Sequence, residues 1–190
     1  MPKSCADLKQ LAYRKSGIFS VMGNQRVEKV YCDFTKQTGE TGFQKLIGII
    51  DVKSMRVSFH AQRTTPSTFN TVDTTIPFEV VKLNEGNAMD STTGIFTAPT
   101  PGTYFFAFTG LSSASKSARV EFQVKTATVD WSTIGRAYGA QSDAETFALD
   151  AIVQLSKGDQ IRLFLKTGEI ENFGEHNTNF VGLLLEEVLG

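Results

Sequence analysis

The chain reads as an all-β protein, a sandwich or barrel of short strands preceded by a small helix and hairpin. Three observations lead there. Tyr104, Phe106 and Phe108 alternate with Phe105, Ala107 and Thr109, a period of two with one aromatic face. Turn residues recur at the spacing of a sandwich: Asn84-Glu85-Gly86-Asn87, Ser91-Thr92-Thr93-Gly94 and Ala98-Pro99-Thr100-Pro101-Gly102. Two further stretches, Ala118–Val124 and Phe147–Val153, also alternate apolar and polar residues.

Taken in order, Ser4-Cys5-Ala6-Asp7 is a capping-box-like start. Leu8, Leu11 and Ala12 share a face and Gly17 is a natural stop, so a helix is expected over residues 5–16. Ile18–Met22 and Val27–Phe34 follow as strands, and Gly23-Asn24-Gln25-Arg26 between them predicts a hairpin. The polar run Thr35–Thr41 reads as a loop, and Phe43–Asp51 as an apolar bridge into the sandwich. Val57–Ala61 opens the sandwich. Ile161–Leu165 and Phe180–Leu185 are apolar on both faces, as in strands covered on both sides. The domain reading is therefore an N-terminal module at 1–45, a bridge at 46–54 and a globular domain at 55–190.

Composition narrows the function classes. Of 190 residues 41% are hydrophobic, and fifteen phenylalanines stand against one tryptophan. The chain is long enough for one sizeable core plus an appendage. A net charge of −1 supplies no general attraction to nucleic acid or to an anionic membrane. The charge is uneven, +5 through residue 62 and −6 beyond it, and reads as solvated surfaces or as complementary docking. No run of 18 apolar residues exists, so no membrane span is expected. Met1-Pro2-Lys3 leads directly into polar sequence, so the chain is read as a mature or trimmed one without a visible signal peptide.

Chemistry-bearing constellations are absent. His60 and His176 are far apart, with no nucleophile and carboxylate to complete a triad or a metal set. There is no phosphate loop and no HExxH, and an enzyme is not expected. Asp143 and Glu145 flank one loop, and Glu169, Glu171 and Glu175 crowd another; these are calcium candidates without EF-hand spacing, the alternative being solvated loops. Otherwise no cofactor is expected. Lys157-Gly158-Asp159 resembles an integrin-binding tripeptide but reads as a hairpin turn. No Asn-x-Ser/Thr sequon and no Gly-x-y repeat occur.

The spacing of the central stretch is more specific than its alternation. Phe78, Asn84, Met89, Phe96, Gly102, Tyr104, Phe106 and Phe108 reproduce an eight-position pattern over 31 residues that resembles the signature of the C1q globular domain. The one departure is Met89, where the family has an aromatic residue or leucine; methionine fills a similar volume. Val153–Ile161, with Gly158 at its turn, resembles the family's penultimate hairpin. Asn179–Leu184, with Phe180 and Gly182, resembles its closing strand. The N-terminal strings around Cys5, Ser16-Gly17-Ile18-Phe19 and Cys32 are similar to the start of fibrinogen-like domains, whose ligand pocket has no counterpart here.

The resemblance implies a jelly-roll β-sandwich of about ten strands, C1q/tumour-necrosis-factor-like, forming a homotrimer. Phe105 and Phe164 are candidates for the trimer interface, with coverage by a loop or by the N-terminal module as the alternative. The cysteines either staple the N-terminal module or are two unrelated buried thiols. The extracellular, oxidising setting that the resemblance implies favours a Cys5–Cys32 disulfide. It also implies a secreted recognition protein, lectin-like and innate-immune, whose partner is an extracellular glycan, a microbial surface or a receptor. The alternatives are a signalling or adhesion ligand of the cerebellin or adiponectin kind, or a structural matrix component. The residues that bind the ligand are not assigned.

Overall fold

A computed structural model describes residues 1–65, 68–140, 144–173 and 176–189. The chain divides into two compact units, one of Met1–Ser54 with the residues from Glu186 onward, the other of Met55–Leu185.

In the first unit, α1 (Cys5–Gln10) starts at Ser4, whose hydroxyl accepts the Asp7 backbone N–H. It ends six residues before the expected stop. Ala12 takes the left-handed conformation (φ 67°), and the N–H of Tyr13 reaches back to the Leu8 carbonyl while that of Ala12 reaches Lys9. This is the double hydrogen bond of a Schellman cap, formed without the glycine that normally marks it. Gly17 instead opens β1 (Gly17–Met22). An alanine in this conformation is strained, so Ala12→Gly is expected to stabilise the unit by roughly 0.5–1 kcal/mol. A denaturant midpoint that falls in that variant would contradict the cap.

β1 pairs antiparallel with β2 (Val27–Cys32), and Met22 opposite Val27 leaves the predicted four-residue turn. β3 (Gln44–Ile50) pairs with the other edge of β2. Residues 46–50, expected as part of a bridge, are therefore the third strand of this sheet. Their apolar run extends β2's pairing, and the connection begins only after Ile50. Cys5 and Cys32 form the disulfide (Cα–Cα 5.5 Å), packed with Leu8, Val21, Val30, Phe34 and Phe43. Closing a loop of this length stabilises by roughly 3 kcal/mol in the chain-entropy account. The last residues return here: Arg26 pairs with Glu186 (3.3 Å), and Ser54 donates to the Glu187 carboxylate. The residues from Glu186 onward thus group with the first unit.

The second unit is a jelly-roll sandwich. Its strands are β4 (Ser58–Gln62), β5 (Thr74–Thr75), β6 (Val80–Glu85), β7 (Met89–Asp90), β8 (Ile95–Thr97) and β9 (Gly102–Ser112). They continue as β10 (Ala118–Lys125), β11 (Ser132–Gly139), β12 (Thr146–Leu155), β13 (Gln160–Gly168), β14 (Ile170–Glu171) and β15 (Asn179–Glu187). One sheet has the order β12-β9-β15-β4-β6, with β14 on β9; the other has β11-β10-β13-β8-β7, with β5 on β13. Consecutive strands are thus distributed between two facing sheets, and every inward residue meets the opposite layer. Among the described residues nine of these strands are longer than two residues, near the ten expected. β11 had no counterpart in the sequence reading. It is an edge strand, half of whose residues are exposed, with a bulge where it pairs Phe122 and Gln123 of β10, so its residues do not alternate cleanly.

Between the sheets lies a core dominated by rings. Phe59, Phe78, Phe96, Tyr104, Phe106, Phe108, Phe122 and Phe180 are all buried, joined by Ile161, Leu163 and Leu165 of β13. Their centroids lie 4.8–6.5 Å apart in edge-on, tilted and stacked pairs, the arrangements aromatic quadrupoles favour.

Candidate functional site

The residues of the spaced pattern lie in the core and the turns of the sandwich. Asn84 exchanges two hydrogen bonds with the backbone of Met89, its Nδ2 donating to the carbonyl (2.8 Å) and its Oδ1 accepting the N–H (3.1 Å). That closes a turn in which Gly86 and Asn87 both have positive φ. Met89 itself is buried in the core, in the role its volume suggested. Tyr104 donates its hydroxyl to the Thr100 carbonyl, tying β9 to the proline-rich turn before it. Gly102 lies buried where β9 begins. Gly182 is obligatory for another reason: a Cβ there would sit 2.4 Å from the Phe59 ring and 2.7 Å from that of Phe106. Gly158, at φ 91°, forms a turn pinned to Ala98, and Asp159 accepts from the Ser156 N–H. The Lys157-Gly158-Asp159 tripeptide is thus built into a hairpin.

Two outward faces remain. On the first sheet, Phe105 of β9 lies opposite Ile152 of β12, and Val181, Leu183 and Leu185 of β15 point the same way. Ile152 is 67% exposed, and Leu183 and Leu185 are also exposed. This is an apolar stripe across adjacent strands, exposed at Ile152, Leu183 and Leu185 and half-buried at Phe105 and Val181.

The second sheet's outer face is polar and built. Glu121 of β10 sits between Arg136 of β11 and Phe164 of β13 in the pairing register. One carboxylate oxygen accepts from Arg119 (2.8 Å) and Arg136 (3.2 Å), the other from Thr133 (2.8 Å) and Gln123 (3.0 Å). Burial pushes this carboxyl up, but the four donors outweigh it and hold it down at about 2. Gln123 in turn accepts from Arg162, whose guanidinium lies 4.1 Å from the centre of the Trp131 ring and 4.5 Å from that of Phe164. Phe164 is therefore half-buried under a side chain of its own sheet and beside β5, on the face opposite Phe105. Neither a loop nor the N-terminal module supplies that cover: it is the Arg162 side chain of the same strand. The network escaped the sequence reading because Arg119, Glu121 and Gln123 occupy the polar positions of a clean alternation, which ordinarily face solvent. The only signal was the lone tryptophan beside them.

The remaining candidates are engaged elsewhere. His60 Nε2 is 3.0 Å from Asn179 Oδ1, and His176 lies outside any strand with φ 57°. Glu169 pairs with Lys116, and Glu171 accepts from Thr68 and Ser113. Glu145 is exposed. Asp143 and Glu175 lie outside the described residues. Among the described residues no three histidine, cysteine, aspartate or glutamate side chains cluster. Among the described residues no helix is long and apolar enough to cross a membrane.

Comparison with known proteins places this geometry. The family model of the C1q domain matches residues 58–185. Caprin-2 of Danio rerio is 31% identical over 73% of the chain and 15% of its own length. Complement C1q tumor necrosis factor-related protein 3 of Mus musculus is 27% identical over 70% of the chain and 52% of its own length. The chain thus spans about half or less of these relatives. Among solved structures, the globular domain of zebrafish complement 1qA aligns with a TM-score of 0.55 at 18% identity, over 69% of the chain and 98% of that domain. Murine APRIL at pH 5.0 aligns at 0.56 and 14%, over 68% of the chain and 99% of APRIL. At these identities the structural likeness concerns the fold.

Proposed function

This chain belongs to the C1q-domain family, and we propose that it is a secreted homotrimeric recognition protein, lectin-like and innate-immune, that binds glycan or microbial surfaces outside the cell. The observation that carries the reading is the apolar stripe of Phe105, Ile152, Val181, Leu183 and Leu185 on the first sheet. A second copy set against it removes that surface from water, which is favourable by about 25 cal/mol per Å². Three copies around an axis then present three equivalent binding surfaces, so modest single-site affinities multiply into avidity. Phe105 is assigned to this interface. Phe164 is not, because Arg162 already lies over its ring. The disulfide in the first unit fits an oxidising, extracellular setting.

Light scattering on the wild type and Ile152→Glu, with calcium and with chelator, tests the assembly. The wild type is expected to be trimeric in both solutions and Ile152→Glu monomeric with an intact fold, since Ile152 is 67% exposed in the single chain. A wild-type monomer, or a variant that stays trimeric, would remove the interface. A mass that falls on chelation would make calcium structural. Glycan and bacterial pull-downs then test the recognition reading. A second reading, a signalling ligand for a cell-surface receptor, is supported by the likeness to the tumor necrosis factor-related relative. Saturable binding to one membrane protein, without glycan binding, would select it.

A further inference from the structure

We infer that the outer face of the second sheet is an anion-binding site built on the Arg119–Glu121–Arg136 cluster, which takes the carboxylate or sulfate of an acidic polysaccharide. The inference rests on the glycan-recognition reading above and assigns it a face and a ligand class.

The cluster is unbalanced by design. A single carboxylate is set against two guanidinium groups that share one of its oxygens, and Thr133 and Gln123 occupy the other. Glu121 has no acceptor capacity left for solvent, and its side chain is only 5% exposed, while that of Arg136 is 53% exposed. The negative member is sunk and the positive ones face outward. Arg136 spends only Nε on Glu121, and no partner among the described residues engages its two terminal nitrogens. Arg119 Nε is buried and has no acceptor among the described residues. Arg162, fixed between Trp131 and Phe164, lies one row along the sheet, its charge partly offset by Asp130.

A planar guanidinium with both outer nitrogens free is the natural partner of a carboxylate or sulfate, which it grips through two parallel hydrogen bonds. Because Glu121 holds Arg136 at Nε, little side-chain freedom is lost when an anion arrives. Tyr138 lies opposite Arg119 in the register and is 64% exposed, offering a ring face to the apolar side of a sugar. The site lies on a sheet face. A repeating polyanion lying across strands suits it better than a small molecule that needs enclosure.

The test is binding of the full chain to immobilised heparin (sulfated), alginate (carboxylated), dextran (neutral) and polyglutamate. It is run for the wild type, Arg136→Ala, Arg136→Lys and, as a control on the other unit, Lys29→Ala. Heparin or alginate is expected to bind, with affinity falling as salt rises, and dextran is not expected to bind at this face. Arg136→Ala should weaken acidic-glycan binding about tenfold, as loss of a charge-assisted pair implies, with partial recovery in Arg136→Lys and no change in Lys29→Ala. Unchanged melting of Arg136→Lys keeps the comparison free of folding effects. Acidic-glycan binding that Arg136→Ala leaves intact would overturn this site while leaving glycan recognition standing. Polyglutamate bound as tightly, with the same dependence on Arg136, would overturn the sugar assignment. Failure to bind any glycan, charged or neutral, would overturn the recognition reading and this inference with it.

Discussion

Phe106→Ala is expected to destabilise the sandwich by about 3–5 kcal/mol and to leave little folded protein at 37 °C. The ring is fully buried and lies within 6.5 Å of five others, those of Phe59, Phe96, Tyr104, Phe122 and Phe180. These come from β4, β8, β9, β10 and β15, so both sheets lose contact at once. Backbone relaxation cannot refill the space cheaply. Gly182 already lets β15 approach the Phe106 ring as closely as a strand can. Thermal melting followed by circular dichroism reads the effect, and a near-wild-type midpoint would remove this residue from the centre of the core.

Glu121→Gln should cost about 3 kcal/mol at neutral pH, because Arg119 and Arg136 lose their counter-charge on a half-buried face. The pH dependence gives a second signature. The carboxyl is lowered from the usual 4.5 to about 2, so its contribution is fully present above about pH 4.5. It is lost as the pH falls from there towards 2, on the order of 3 kcal/mol in all. The variant has no such group, so its stability should fall less steeply over that window. Urea unfolding of both proteins at pH 7 and pH 3 checks this. Equal acid losses would show that Glu121 is not the group being titrated.

The two residues also mark where sequence reading succeeds and where it stops. Phe106 was legible because burial, aromaticity and a period of two coincide on one strand, and because its spacing to Phe78, Asn84 and Gly102 is shared across a family. The cysteine pair was legible through the family resemblance, whose oxidising setting favoured a disulfide between the two thiols of one short module. Glu121 was not. A charged residue on the polar side of an alternating strand looks solvated. Only the register with β11, itself hidden by exposure and a bulge, brings Arg136 over it. The helix end failed differently: Ala12 adopts a conformation that its residue type does not advertise.

The return of the last residues to the first unit has a consequence for how the chain comes apart. The sandwich is inserted within the N-terminal unit, leaving it at Ser54 and re-entering it at Glu186. A protease that cuts near residue 54 would sever the covalent link on that side and leave the exposed Arg26–Glu186 pair and the Leu189–Gln25 hydrogen bond, which hold weakly. A single nick near residue 54 is therefore expected to part residues 1–54 from the sandwich, which keeps its last residues, and a native gel would show a second band.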